Sequence, residues 1–181
     1  MNPKNGDILA MAHVPSFDPN SWQSYVPDDF RISAFSDVFE PGSIFKIITL
    51  AAALEEEIAS PKTSLYVPET YKLHDHEIKE AHDRDPEDSD TKTVSQIIEE
   101  SLNVGTTLLS IKLGQERFSK YIEDFGFGNK TNVSLSGESK GILRPVEKWS
   151  GVDIGTISFG QGIAVTGIQM LTAINAIANN G

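Results

Sequence analysis

The chain has 181 residues, of which 39% are hydrophobic and 23% are charged, as in an ordinary soluble globular protein. Its 15 basic and 26 acidic side chains give a net charge of −11, which argues against a nucleic-acid groove or docking on anionic lipid. It has no cysteine, which excludes disulfides, a thiolate nucleophile and a cysteine-based zinc site. No apolar run is as long as a membrane span and no signal-like segment opens the chain. We therefore expect a soluble chain, with any membrane anchor outside it.

The first 40 residues are predicted to contain a turn, a strand and a long loop. The turn is centred on Asn5-Gly6, a strong hairpin signal, and a strand is predicted at Ile8-Leu9-Ala10-Met11-Ala12. Residues 13–39 are rich in proline, aspartate, serine and aromatic residues, which indicates a loop packed on a surface. Three aromatic side chains are expected to pack this loop rather than to line a substrate groove: Trp22, Tyr25 and Phe30.

A buried helix is predicted from Pro41-Gly42-Ser43 to Leu54, because its apolar residues cover all sides. Residues 59–92 are polar and we expect them to be irregular, with the acidic run at 80–90 forming a charged surface segment. Several potential metal ligands occur here, but none has the i, i+4 spacing of a zinc helix. We expect a solvated polar loop and no metal at these residues: His74, Asp75, His76, Glu77 and His82.

The remaining chain is predicted to be mostly helical. Thr93 and Gln96 form a capping box for a short helix that ends near Glu100, and further helices are expected at about 104–113 and 115–125, each stopped by a glycine. Residues 127–160 are expected to mix short strands and turns. Thr166 and Gln169 form a second capping box, for a helix that continues to Ala178.

Ser43 and Lys46 stand three residues apart at the start of the predicted buried helix, so their side chains share one face. A serine hydroxyl becomes a strong nucleophile only when a base takes its proton. Burial and the positive helix end would lower the pKa of a lysine enough for it to be that base. The same helix end offers a backbone N–H to an oxyanion. The alternative is that Ser43 is a helix N-cap and Lys46 a solvated charge.

A second candidate motif, Ser101-Leu102-Asn103, lies at a break between two predicted helices. A hydroxyl and an amide two residues apart in a loop can point the same way, to relay a proton and to hold a substrate amide. Serine and asparagine are also common as capping residues at helix breaks, which is the alternative interpretation.

In this order and with their flanks, the two motifs resemble the transpeptidase domain of class B penicillin-binding proteins. The resemblance extends over the whole chain. It rests on residues 2–12, which look like the opening hairpin of that family, and on these segments: Glu40-Pro41-Gly42-Ser43-Ile44-Phe45-Lys46, Glu99-Glu100-Ser101-Leu102-Asn103-Val104-Gly105, Phe125-Gly126-Phe127-Gly128, Gly137-Glu138, Trp149-Ser150-Gly151 and Ser158-Phe159-Gly160-Gln161-Gly162.

The resemblance implies an α+β fold and the cross-linking of peptidoglycan. The fold would be that of serine β-lactamases and D,D-transpeptidases, here mainly its helical subdomain with a remnant of the central antiparallel sheet. Ser43 would attack the D-Ala–D-Ala carbonyl of a stem peptide, and a second stem's amine would resolve the acyl-enzyme. Lys46 would activate Ser43, while Ser101 and Asn103 would transfer protons and hold substrate. Gly160-Gln161-Gly162 would shape the floor of the substrate site.

The resemblance also implies partners and a location. β-Lactams would acylate Ser43 and remain bound, and no cofactor would be needed. The parent protein would act at the extracytoplasmic face of the bacterial membrane, with division or elongation proteins as partners.

Residues 1–181 depart from the family in several places. The Lys-Thr-Gly or Lys-Ser-Gly motif, which binds the substrate carboxylate and supplies a second oxyanion N–H, does not occur in them. We therefore expect a partial domain, with that strand after Gly181 and another strand before Met1 outside the chain. Smaller departures replace the family's usual Asn-Arg, Thr and Pro: Ile32-Ser33, Ile44 and Gly167.

Other functions stay open at this point. An uncovered strand edge would favour self-association through a swapped or paired sheet. A serine β-lactamase would need a residue that activates a deacylating water, for which the sequence offers no clear candidate. A penicillin-sensing domain that is acylated once, or a folded fragment with little or no activity of its own, are the remaining alternatives.

Overall fold

The computed structural model describes residues 1–85 and 89–181, so part of the predicted acidic segment at 80–90 lies outside the described residues. In the described part the chain forms helices and two small antiparallel sheets. The helices are α1 Ser33–Ser36, α2 Lys46–Glu55, α3 Val94–Glu99, α4 Asn103–Leu113, α5 Gln115–Asp124, α6 Asp153–Ser158 and α7 Gly167–Ala178. The strands are β1 Ser64–Tyr66, β2 Thr70–Leu73, β3 His76–Lys79 and β4 Thr91–Thr93.

Helix α2 lies between two apolar clusters and contributes to both. On one side Ile48 and Ala52, with Phe45 just before the helix, pack with side chains of α5, α6 and α7. On the other side Leu50 and Ala53 pack with side chains of α3, α4 and the β1 region. The prediction that this helix is buried is therefore confirmed from Lys46 to Ala53, whereas Leu54 at its end is 38% exposed. The α-helix begins at Lys46, later than predicted, because residues 42–45 form a turn of 3-10 helix.

The prediction that residues 59–92 are irregular is wrong. β1 pairs with β4 and β2 pairs with β3, both antiparallel. In the second pair Leu73 lies opposite His76, and the two-residue turn between them has His74 in the left-handed region, at φ 56°. These strands have three or four residues and expose most side chains, so their alternation of buried and exposed residues is a weak signal.

Two further predictions of strand structure are wrong. The turn at residues 2–7 forms, with Asn2 N–H donating to the Asp7 carbonyl at 2.8 Å, but residues 8–12 pair with no strand among the described residues. A strand needs a ladder partner, and side chains of this segment instead line a shallow apolar groove beside Ile168 and Leu171 of α7. Residues 127–160 hold helix α6 and a single bridge from Ile142 to Ala164, rather than short strands.

Both capping boxes are confirmed. Thr93 Oγ1 accepts a hydrogen bond from Gln96 N–H at 3.2 Å, and Gln96 Oε1 accepts one from Thr93 N–H at 2.9 Å. Thr166 and Gln169 make the same reciprocal pair at 3.2 and 2.9 Å. These local bonds satisfy N–H groups that a helix start leaves without partners, which is why α3 and α7 begin where predicted.

The predicted loop at residues 13–39 contains α1 and two short 3-10 helices, and the part before α1 packs partly through aromatic rings. Phe17 contacts Phe30 with ring centroids 4.8 Å apart and Tyr25 with centroids 6.1 Å apart, whereas Trp22 is 54% exposed.

In the part of the chain that the structure describes, helices are too short or too polar to cross a bilayer.

Candidate active site

Ser43 lies in a turn of 3-10 helix, Gly42–Phe45, that leads directly into α2. Residues three apart are eclipsed in a 3-10 helix, so the side chains of Ser43 and Lys46 lie one above the other. Ser43 is exposed, while Lys46 is 0% exposed. The interpretation of Lys46 as a solvated charge is therefore wrong.

Lys46 contacts the second candidate motif. Its Nζ donates hydrogen bonds to Ser101 Oγ at 3.0 Å and to the Ser101 carbonyl oxygen. Burial lowers the pKa of Lys46 from its usual 10.5 to about 8, and the negative charge of Glu80 opposes part of this shift. Near neutral pH a measurable fraction of the amine is therefore unprotonated and can accept a proton. The predicted fall in pKa is confirmed in direction, with burial as its main cause.

Ser101 occupies the break between α3 and α4 in a left-handed conformation, at φ 56°. The turn is stabilised by backbone bonds, since Ser101 N–H donates to Ile98 O at 3.2 Å and Leu102 N–H to Ile97 O at 2.9 Å. A non-glycine residue with positive φ is strained, and such strain concentrates at functional sites. Here it turns the Ser101 hydroxyl and carbonyl toward Lys46.

Asn103 is the first residue of α4, and its side chain contacts a different element. Its Nδ2 donates to the Lys79 carbonyl at 2.8 Å, at the end of β3. The Ser101 hydroxyl therefore contacts the lysine while the Asn103 amide is anchored on the β2–β3 hairpin. The predicted role of Asn103 in holding a substrate amide stays a prediction.

A cleft of about 270 Å³ connects Ser43 with the turn at Ser101. Segments from three parts of the chain meet there: the start of α2, the residues after β3, and the end of α3. The lining residues are Ser43, Glu80, Ala81, His82, Asp83, Arg84, Glu100, Ser101 and Leu102.

The segment Gly160-Gln161-Gly162 supports the backbone just before Ser43. Gly42 N–H donates to the Gly160 carbonyl at 3.0 Å, and a Cβ atom on Gly160 would lie 2.2 Å from the Gly42 oxygen. Gly162 N–H donates to Glu40 Oε1 at 2.8 Å, while Gln161 is exposed. The glycines thus permit a close backbone approach, and their predicted contact with substrate stays a prediction.

Glu80 is the site residue that the sequence did not reveal. Its carboxylate accepts hydrogen bonds from the backbone N–H groups of Asn103 and Val104, the latter at 3.1 Å. Those two residues lie 23 and 24 positions further along the chain. Glu80 fell in the segment predicted to be irregular, and no local pattern distinguishes it from its acidic neighbours.

Comparison with known proteins agrees with this geometry. A family model described as penicillin binding protein transpeptidase domain matches residues 1–181. The chain therefore belongs to the family of penicillin-binding protein transpeptidase domains.

Two relatives among curated proteins illustrate the relationship. Stage V sporulation protein D of Bacillus subtilis is 43% identical over 184 residues, which cover 100% of this chain and 28% of that protein. Peptidoglycan D,D-transpeptidase FtsI of Escherichia coli K12 is 31% identical over 177 residues, which cover 97% of this chain and 29% of that protein. The chain thus spans less than a third of the length of these relatives.

Solved structures share the fold closely. Penicillin binding protein 3 of Mycobacterium tuberculosis, complexed with aztreonam, superposes with a TM-score of 0.90 at 34% identity, covering 100% of this chain and 40% of that one. A putative peptidoglycan glycosyltransferase of Atopobium parvulum gives a TM-score of 0.91 at 30% identity, covering 100% of this chain and 42% of that one. The α+β fold predicted from the sequence, as part of a transpeptidase domain, is therefore confirmed.

Proposed function

We propose that this chain is part of a peptidoglycan D,D-transpeptidase, with Ser43 as its nucleophile and Lys46 as its general base. One observation carries the proposal: Lys46, which is buried and has a lowered pKa, contacts Ser101 and lies one helical turn from the exposed Ser43. A lysine fully exposed to solvent stays protonated at neutral pH and cannot take up a proton. Membership of the family and the names of the relatives add independent support.

In the proposed acylation, the Ser43 hydroxyl loses its proton to the unprotonated Lys46 amine as its oxygen attacks the D-Ala–D-Ala carbonyl. The backbone N–H of Ser43, at the start of the helix, stabilises the oxyanion that forms. The proton passes from Lys46 through the Ser101 hydroxyl to the departing D-Ala amine. The products are the Ser43 acyl-enzyme and free D-Ala.

In the second half of the proposed reaction, the amine of a neighbouring stem peptide attacks the ester of the acyl-enzyme. The amine forms a new peptide bond with the acyl group, the ester bond to Ser43 breaks, and the proton that the amine loses returns to the Ser43 oxygen. A β-lactam would react in the same first step, its strained amide opening on Ser43, and the adduct would persist because its opened ring stays attached. The aztreonam complex of the mycobacterial relative is consistent with this extension.

We further propose that a Lys-Thr-Gly or Lys-Ser-Gly strand outside residues 1–181 binds the substrate carboxylate and supplies the second oxyanion donor. Loss of one oxyanion donor typically costs about 10²–10³ in rate. The chain by itself would then react slowly or not at all. Self-association through a swapped or paired sheet, which the sequence analysis raised, stays a prediction. The parent protein would act at the extracytoplasmic face of the membrane with the machinery of division or elongation.

The test is covalent labelling with a fluorescent penicillin, using this chain and a longer chain that contains the third motif. We expect the longer chain to label on Ser43, as located by peptide mass mapping, and the Ser43→Ala variant to stay unlabelled. Failure of the longer chain to label would overturn the proposed function. Equally fast labelling of the short chain would overturn the proposed need for the third motif, and rapid loss of the label would indicate a β-lactamase.

A further inference from the structure

Helix α4 has no cap of its own. The residue before it is Leu102, whose side chain makes no capping hydrogen bond. The first N–H groups of a helix need acceptors, and Glu80 supplies them from another element, just after β3. A carboxylate is favoured at this position because the N-terminal end of a helix carries partial positive charge. The start of α4, with the Ser101 turn before it, is therefore held by a residue far away in sequence.

Glu80 also lies within a chain of charges that reaches Lys46. The Arg84 guanidinium lies 3.8 Å from Glu80 Oε1, and both side chains are 7% exposed. Arg84 in turn donates to the Val67 carbonyl at 2.6 Å, which ties this segment to the end of β1. On the other side, the charge of Glu80 raises the pKa of Lys46 against the larger effect of burial.

The other titratable side chains in or near this cleft are exposed to solvent or form ion pairs elsewhere, unlike Glu80. His82 and Asp83 line it and are exposed. Glu100 is ion-paired with Lys92 Nζ at 2.6 Å. Lys79 lies beside Glu80 in the sequence and pairs with Glu77 at 3.0 Å. Among the residues that the structure describes, Glu80 is the carboxylate that both bonds to the start of α4 and acts on Lys46.

We propose that Glu80 is a positioning residue for the transpeptidase reaction, which holds the Ser101–Asn103 turn against Lys46 by capping α4. This inference rests on the proposed function. One carboxylate would keep the Ser101 hydroxyl within reach of the lysine and keep the Asn103 side chain at the cleft. It would also set how strongly Lys46 retains its proton.

The experiment compares Glu80→Gln, Glu80→Ala and a matched control, Glu77→Gln. Glu77 lies on the neighbouring strand β3, its side chain is 52% exposed, and its loss also removes one negative charge. Acylation of Ser43 by fluorescent penicillin is followed in the longer chain, at pH values that bracket the Lys46 pKa of about 8. In parallel, NMR of labelled lysine titrates the Lys46 amine directly, and amide exchange is measured at Asn103 and Val104.

We expect Glu80→Gln to move the midpoint of acylation and the NMR titration of Lys46 to lower pH, because an opposing negative charge is lost. The plateau rate of acylation, measured above the midpoint, should fall about 10-fold in Glu80→Gln and about 100-fold in Glu80→Ala, because a small misplacement of reacting groups is that costly. Amide exchange at Asn103 and Val104 should become faster. Glu77→Gln should leave all three measurements as in the wild type.

The outcomes separate this inference from the function on which it rests. Absence of labelling in the wild type would overturn the proposed function. Normal wild-type labelling, with unchanged rates in both Glu80 variants, would overturn only the role of Glu80. A lower rate with an unmoved midpoint would reduce Glu80 to a purely structural residue and would also overturn the proposal.

Discussion

Helices α7 and α4 begin in different ways. Helix α7 belongs to the supporting frame of the molecule, by which we mean the elements outside the cleft, whereas the start of α4 belongs to the candidate site. Helix α7 is capped locally, by Thr166 and Gln169 within its own first turn. Helix α4 is capped by Glu80, which lies 23 residues before it. A local cap stabilises one helix wherever that helix packs. A remote cap forms only when two elements dock, so it couples the geometry of the Ser101 turn to the tertiary fold.

The largest effect on the acylation rate is expected from a change at Lys46, where the start of α2 contacts the turn before α4. Lys46→Met removes the amine but keeps an apolar stem in the buried site, and acylation of Ser43 should fall by about 10²–10⁴, the usual contribution of a general base. Labelling kinetics measure the loss, and thermal unfolding checks that the fold survives. The control is Lys112→Met on the exposed side of α4. An equal loss in that control would remove the distinction between the two lysines.

The next effect tests the backbone support before Ser43. Gly160→Ala would place a Cβ atom 2.2 Å from the Gly42 oxygen at a residue with φ 81°. The free energy of unfolding should fall by about 3 kcal/mol, from steric overlap and strain together. Gly126→Ala isolates the strain, because that site has φ 90° and open space, and should cost about 1 kcal/mol. Equal losses in denaturant unfolding would contradict the close approach.

A smaller effect comes from pH. The protonated amine of Lys46 cannot accept a proton, so acylation should slow by about tenfold for each pH unit below its pKa of about 8 and level off above it. The sign follows from the need for the neutral amine, whose fraction rises with pH. Stopped-flow labelling measures the profile. A rate that is flat through this range would mean that another group takes the Ser43 proton.

The smallest effect is expected from removing the local cap of α7, which tests whether that cap is independent of the candidate site. Thr166→Ala removes the local cap and should lower the free energy of unfolding by about 1 kcal/mol. It should leave the pH midpoint of acylation where it is, because α7 supplies no charge to the cleft. Denaturant unfolding and the pH profile are measured together. A shifted midpoint would show that the frame and the site are not separable in this way.

Features that depend on a few consecutive residues were predicted correctly, whereas features that depend on contacts between distant elements were not. The helices at 94–99 and 167–178 were predictable because a capping box is contained in a few consecutive residues. The helix at 46–55 was predictable because its apolar residues cover all sides. The hairpin β2–β3 was not, because strands of four residues with exposed faces carry little periodic signal. The strand predicted at 8–12 was wrong because an extended segment becomes a strand only by pairing with another.

The sequence by itself determined the starts of α3 and α7, the family, and the spacing that puts Ser43 and Lys46 on one face. Each of these depends on neighbours within a turn or on a recognisable motif. The tertiary structure decided which groups meet. Lys46 contacts Ser101 across 55 residues, and its pKa falls because two apolar clusters enclose α2. Glu80 reaches the start of α4 from the end of the β2–β3 hairpin, where Asn103 Nδ2 also donates to the Lys79 carbonyl. Such contacts arise from the burial of apolar surface over the whole chain, and no local stretch of residues encodes them.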